Sequence, residues 1–154
     1  MAGIALSAHP DTRLRAFAVM FPPIDFSQMD ADAAAIGMTP RTGATASADS
    51  AESRLIGAAV GENTGLAFAA SPLSYLAALP ADTPLPDFII LHGGQDTNIA
   101  RGQSGRLFSA LLNRRGVGRL EYILLPEGTH GGGAFDRLDP LLSVIDFLET
   151  SLAD

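Results

Sequence analysis

Short apolar runs alternate with polar, glycine-rich or proline-rich stretches along the whole chain. Asp11 to Phe21 begins polar and ends apolar, rich in Phe and Val. It predicts a buried strand closed by Pro22 and Pro23, which cannot continue a hydrogen-bonded ladder. Asp25 to Ser50 is rich in Ala, Asp, Thr and Ser and reads as a long loop with one short helix at Met29–Ile36. Ser50 then caps a short helix ended by Gly57 or Gly61. Leu66 to Ser71 adds another helical turn, and Ser71–Ser74 and Pro80–Pro86 punctuate the passage onward. Asp87 to His92 is a continuous apolar run, the mark of a strand covered on both faces, and Gly93-Gly94 breaks it. Ile99 to Arg115 has Leu107, Phe108, Leu111 and Leu112 at helical spacing, with Gly116 suited to the C-cap. Leu120–Leu125 is a further buried strand, Pro126–Asp136 a Gly-rich loop, and Leu138–Leu152 a closing helix. That helix carries Leu141, Leu142, Ile145, Leu148 and Leu152 on one face.

The order is therefore strand, long excursion (about 25–83), strand, helix, strand, helix, in one domain spanning 1–154. Such alternation implies an α/β fold, a parallel sheet of about three strands with flanking helices and right-handed crossovers. In these sheets chemistry collects at the loops beyond the carboxyl ends of the strands. Two conspicuous polar residues fall there, Asp96 in HGGQD and His130 in PEGTHGGG. A carboxylate and an imidazole from adjacent strand ends can meet in one cleft, where their hydrogen bond fixes the tautomer and raises basicity.

Composition narrows the chemistry. The 154 residues contain no cysteine, which removes disulfides, thiolate zinc, iron–sulfur clusters and a thiol nucleophile. Net charge is −7, and all ten bases are arginines. An acidic chain without a basic run is a poor partner for nucleic acid or an anionic membrane. No apolar stretch approaches the roughly 20 residues of a membrane span. No basic segment precedes an apolar run at Met1, so a secretory signal is expected to be absent or already removed, and the location cytoplasmic. The three histidines show no metal-ligand spacing with Asp or Glu, and neither a P-loop nor a dinucleotide fingerprint occurs, so no metal or cofactor is expected.

Several segments together resemble the α/β-hydrolase family, in particular the C-terminal half of small bacterial esterases related to hormone-sensitive lipase and feruloyl esterase. They are FIILHGGQDTNI at 88–99, QSGRLFSALLNRRGV at 103–117 and LEYILLPEGTHGGGAFD at 120–136. Ala70–Tyr75 and the Phe21-Pro22-Pro23-Ile24-Asp25-Phe26 stretch also match, so the resemblance spans about residues 13–152. It implies a truncated α/β-hydrolase-type sheet, with Asp96 as the triad acid and His130 as the general base. Asp96 precedes His130, as the family's Ser, Asp, His order requires.

The departure from the family pattern is the nucleophile. No G-x-S-x-G elbow occurs. Gly3–Ala8 resembles the tail of the helix that follows the elbow, so the chain reads as half of a hydrolase. Ser104 in Gly102-Gln103-Ser104-Gly105 echoes an elbow, but Arg106 stands where the second glycine belongs. Ser7, close to His9, is the first candidate for a non-standard nucleophile. The resemblance thus implies a carboxylic ester hydrolase acting on small short-acyl esters; the rival reading is a catalytically silent remnant or interaction module. In either case the apolar strand near Arg15–Phe21 lacks a neighbour, and an exposed apolar edge leads to the expectation of a homo-oligomer.

Overall fold

The computed structural model describes residues 14–114, 116 and 118–153. Among the described residues three strands form one parallel sheet in the order β1-β2-β3: β1 at Ala16–Met20, β2 at Asp87–Gly93 and β3 at Leu120–Leu125. Phe17 pairs with Phe88 and Phe88 with Leu120, so the carboxyl ends lie together. β2 is central, and its residues from Phe88 on are buried on both faces, as a continuous apolar run requires. β3 is only half-buried, because among the described residues it is an edge strand rather than the covered strand its sequence suggests.

Side-chain alternation along β2 divides the core. Phe88 and Ile90 face one layer with Leu76, Leu107 and Leu111. Ile89 and Leu91 face the other with Phe135 and Phe147. The first layer is α4 (Pro72–Ala78) and α5 (Gly102–Leu112); the second is the 3-10 turn Gly133–Asp136 and α6 (Leu138–Ala153).

The β1–β2 excursion contains a 3-10 turn (Phe26–Gln28), α1 (Met29–Ala35), α2 (Ala51–Ile56) and α3 (Thr64–Ala70) before α4. Phe26, Met29, Val60, Ala67 and Ile99 give it a small apolar core of its own. Ser50 caps α2 by accepting a hydrogen bond from the Ser53 amide, and Gly57 closes it at φ 75°, as the sequence predicts. α4 is a helix where the sequence reads as punctuation: Pro72 sits at its first position, which proline tolerates because that N–H has no helical partner.

One buried side chain ties the excursion to the sheet layer. Gln103 of α5 accepts from the Ile24 and Asp25 amides, each at 2.8 Å, and donates to Asp32 at 2.7 Å. Asp32 also takes Arg106 through two 2.7 Å contacts, and this pairing raises the Arg106 pKa. α5 ends at Leu112 with Asn113 as its cap, so Gly116 lies beyond the helix instead of capping it.

α6 departs from expectation in the face it buries. Its docked residues are Pro140, Phe147 and Ser151, with Val144 and Leu148 packed beside them. The Arg119 guanidinium lies 4.7 Å from the Phe147 ring centre. Leu141, Leu142 and Ile145 point outward, and Leu138 and Leu152 are 69% and 67% exposed. Among the described residues no helix is long and apolar enough to cross a membrane.

Candidate active site

The ends of β2 and β3 approach so closely that only glycine fits. A Cβ on Gly93 would overlap the carbonyl oxygens of Gly128 and Thr129, and one on Gly94 would lie 2.6 Å from the Pro126 carbonyl oxygen. Two backbone bonds use this approach: Gly94 N–H donates to Leu125 O at 2.7 Å and Gln95 N–H to Gly128 O at 2.8 Å. Gly93-Gly94 therefore does more than break the strand. It draws the loop after β2 against the loop after β3.

Asp96 and His130 meet across that seam. Asp96 Oδ2 accepts from His130 Nδ1 at 2.8 Å. The Asp96 side chain is fully buried, whereas that of His130 is 33% exposed. The other carboxylate oxygen, Oδ1, accepts the Asn98 amide at 2.8 Å and the Ile99 amide at 3.0 Å. These bonds supply the compensation that a buried carboxylate needs. A carboxylate only accepts, so Nδ1 carries a proton, and in a neutral ring this is the tautomer that leaves Nε2 the free lone pair a general base requires.

Phe21 completes the support of the imidazole. Its ring centre lies 4.5 Å from that of His130 and 5.1 Å, edge-on, from Phe135. Phe21 adopts φ 40°, a left-handed conformation that is costly for a bulky residue. Its amide is anchored to Leu91 O at 2.8 Å. Sequence reading treats Phe21 as a strand end and does not foresee this contact; the signal available was an aromatic held immediately before Pro22-Pro23.

His92 lies beneath the pair, fully buried, with Nδ1 2.6 Å from Ser104 Oγ and Nε2 2.9 Å from Ile99 O. Burial lowers its pKa, only partly offset by the Ile99 bond and the Asp96 charge. Ser104 is wholly buried within α5, and its hydroxyl is engaged by His92 rather than by His130. Ser7 lies outside the described residues.

A small pocket of about 160 Å³ opens beside His130, lined by Thr42, Gly43, Ser50, Ala51, Glu52, Asn98 and Ile99. Residues from the excursion thus form one wall of the site. Ser50 lines this pocket, but its hydroxyl is already engaged, donating to Thr45 O at 2.8 Å and accepting the Ser53 amide at 3.0 Å. Among the described residues no cluster of three or more His, Asp or Glu side chains could hold a metal ion.

A parallel α/β sheet carrying a buried carboxylate and a partly exposed imidazole at adjacent strand ends has the architecture of the α/β-hydrolase class. The chain belongs to the BD-FAE family of α/β-hydrolase-like esterases, whose model matches residues 4–111, a range that includes Asp96 and stops short of His130. It is similar to a solved structure described as a bifunctional GH43-CE of Bacteroides eggerthii, at 29% identity and a TM-score of 0.66, over 91% of this chain. It is also similar to a truncated form of a carbohydrate esterase from gut microbiota, at 26% identity and a TM-score of 0.68, over 92% of this chain. The chain spans 17% and 44% of the lengths of those two proteins. No curated protein matches it.

Proposed function

We propose that this chain carries the acid–base pair of a carboxylic ester hydrolase that removes short acyl groups from hydroxyl-rich alcohols, with His130 as the base and Asp96 as its orienting acid. The observation that carries this reading is the 2.8 Å bond between Asp96 and His130 Nδ1. His130 Nε2 takes the proton of an attacking hydroxyl as that oxygen adds to the ester carbonyl. When the tetrahedral intermediate collapses, the same nitrogen returns the proton to the departing alkoxide, releasing the alcohol; with water as the attacking hydroxyl the acid is released in the same step, and with a serine a water then repeats both steps on the acyl-serine, releasing the acid and restoring the serine. Asp96 stabilises the imidazolium formed between the two steps.

The size of the pocket supports a short acyl group. Its roughly 160 Å³ is below the ~300–1,000 Å³ of pockets that enclose drug-sized ligands. The carbohydrate esterase among the structural neighbours supports a sugar hydroxyl as the alcohol. Ser7 is the first candidate for the attacking hydroxyl; a water activated by His130 is the other.

The rival reading, a catalytically silent module, is favoured by a different observation. Among the described residues no serine hydroxyl is hydrogen-bonded to His130, and Ser50 and Ser104 are engaged elsewhere. Labelling with a fluorophosphonate, mapped by mass spectrometry, separates the two. The hydrolase reading with a serine nucleophile expects one modified serine, at Ser7, and no label in His130→Ala. No label, together with no turnover of p-nitrophenyl acetate, supports the silent module.

Self-association belongs to the same proposal. Leu138, Leu141, Ile145 and Leu152 are exposed on α6 at successive spacings of three, four and seven residues, which keeps them on one side of the helix. Such a row is self-complementary in an antiparallel pair, so a second copy is the expected occupant. Sedimentation velocity at low micromolar concentration is expected to give a dimer that Leu141→Asp, Ile145→Asp dissociates. A monodisperse monomer overturns this part.

A further inference from the structure

The buried histidine at the end of β2 has no part in the proton transfer described above, yet it is expensive to keep. A polar ring in a core costs free energy unless its nitrogens are satisfied. An aliphatic residue at this position would continue the Phe88, Ile90 face. His92 instead joins three elements. Ile99 O can only accept, so Nε2 carries the proton and donates at 2.9 Å. Nδ1 is then an acceptor, and the Ser104 hydroxyl of α5 donates to it at 2.6 Å.

The residue His92 grips is itself part of the acid's setting. The Ile99 amide donates to Asp96 Oδ1 at 3.0 Å, while the Ile99 carbonyl takes the His92 proton. Both sides of Ile99 are therefore clamped, one by Asp96 and one by His92. The same Nε2 lies 3.6 Å from Asp96 Oδ2, the oxygen that receives His130. Ser104, His92, Ile99 and Asp96 form a continuous path from α5 to His130.

We propose that His92 is a positioning residue, which, braced by Ser104, fixes the Asp96–Ile99 turn and thereby holds the Asp96 carboxylate on His130 Nδ1. This rests on the acid–base role proposed for Asp96 and His130. Groups facing His92 that bear or can bear charge are Asp96, His130 and Arg101. Of these only Asp96 and His130 belong to the pair that it positions.

The consequence is readable without substrate, in the tautomer of neutral His130. Its Nδ1–H form is selected by Asp96, and ¹⁵N chemical shifts report the ratio of Nδ1–H to Nε2–H forms. In His92→Leu the ratio is expected to fall by roughly 2- to 10-fold, the span of one net hydrogen bond. His92→Gln, which can offer an amide N–H to Ile99 O, is expected to restore much of it. Ser104→Ala, a smaller change tolerated more easily by the core, is expected to lower it by roughly twofold. An unchanged ratio in folded His92→Leu overturns the proposal. Where His92→Leu does not fold, an unchanged ratio in Ser104→Ala does so. Asp96→Asn is the separating control. If it leaves the ratio unchanged, the acid–base reading itself fails; if it changes the ratio and the His92 and Ser104 variants do not, only the positioning role of His92 fails.

Discussion

The loops after β2 and β3 bring one functional side chain each, and they hold them by different means. Asp96 is buried and accepts from two backbone amides as well as from His130. The turn that bears it is gripped from below by His92. His130 stands in a loop where Gly131, Gly132 and Gly133 all have positive φ, and it is held by one hydrogen bond and by the Phe21 ring. One partner is built into the core and the other rests on it. This division suits the roles proposed for them. An orienting acid needs only a constant charge in a constant place, whereas a general base must present Nε2 to solvent and substrate and change protonation in each cycle.

Substitutions test that contrast in descending order of effect. His130→Ala removes the exchanging proton carrier and is expected to lower ester turnover by on the order of 10⁵- to 10⁶-fold with folding intact. A loss below tenfold would break the assignment. Asp96→Asn keeps an acceptor for the Asn98 and Ile99 amides but removes the charge and disturbs the tautomer; a loss of about 10⁴-fold is expected, again without unfolding. Gly93→Ala tests the seam between the two loops. The added methyl meets backbone carbonyls that cannot yield, so urea unfolding is expected to show a loss of about 4 kcal/mol or more. Its counterpart is Gly105→Ala, in α5 with open space around it, where a gain of about 0.5–1 kcal/mol is expected. Equal responses at the two glycines would contradict the close approach.

The pH dependence of stability reports on the buried side of the site. Burial lowers the His92 pKa below its ordinary 6.5, so the unfolded chain takes up a proton that the folded chain refuses. Stability from this source is complete above about pH 6.5 and declines as pH falls from there through the folded value. Thermal melts between pH 7.5 and 5 are expected to show a decline that is smaller in His92→Gln. An identical decline in both proteins would contradict the assignment.

How much of this was legible in the sequence follows from the range of each interaction. The strands around 16–20, 87–93 and 120–125 declare themselves because apolar runs bounded by glycine and proline are local signals. Ser50 and Gly57 mark α2 through their own backbone preferences. Asp96 and His130 stand out because a parallel sheet places chemistry at strand ends. What escaped depends on partners distant in the chain. Gln103 reads as an ordinary helical polar residue, and only tertiary contact shows it holding Ile24, Asp25 and Asp32. The apolar residues of α6 have one helical periodicity, but which stripe docks depends on Phe147 finding Leu91 and Ile89. Phe21 supports His130 across more than a hundred residues, a pairing that no spacing rule encodes.

Asp96 and His130 are proposed to work as one unit in ester hydrolysis. A double-mutant cycle on p-nitrophenyl acetate hydrolysis tests it most directly. Groups acting as a unit are strongly non-additive, so Asp96→Ala, His130→Ala should lose no more activity than His130→Ala alone. Losses that multiply, or a wild-type rate indifferent to both substitutions, would contradict it.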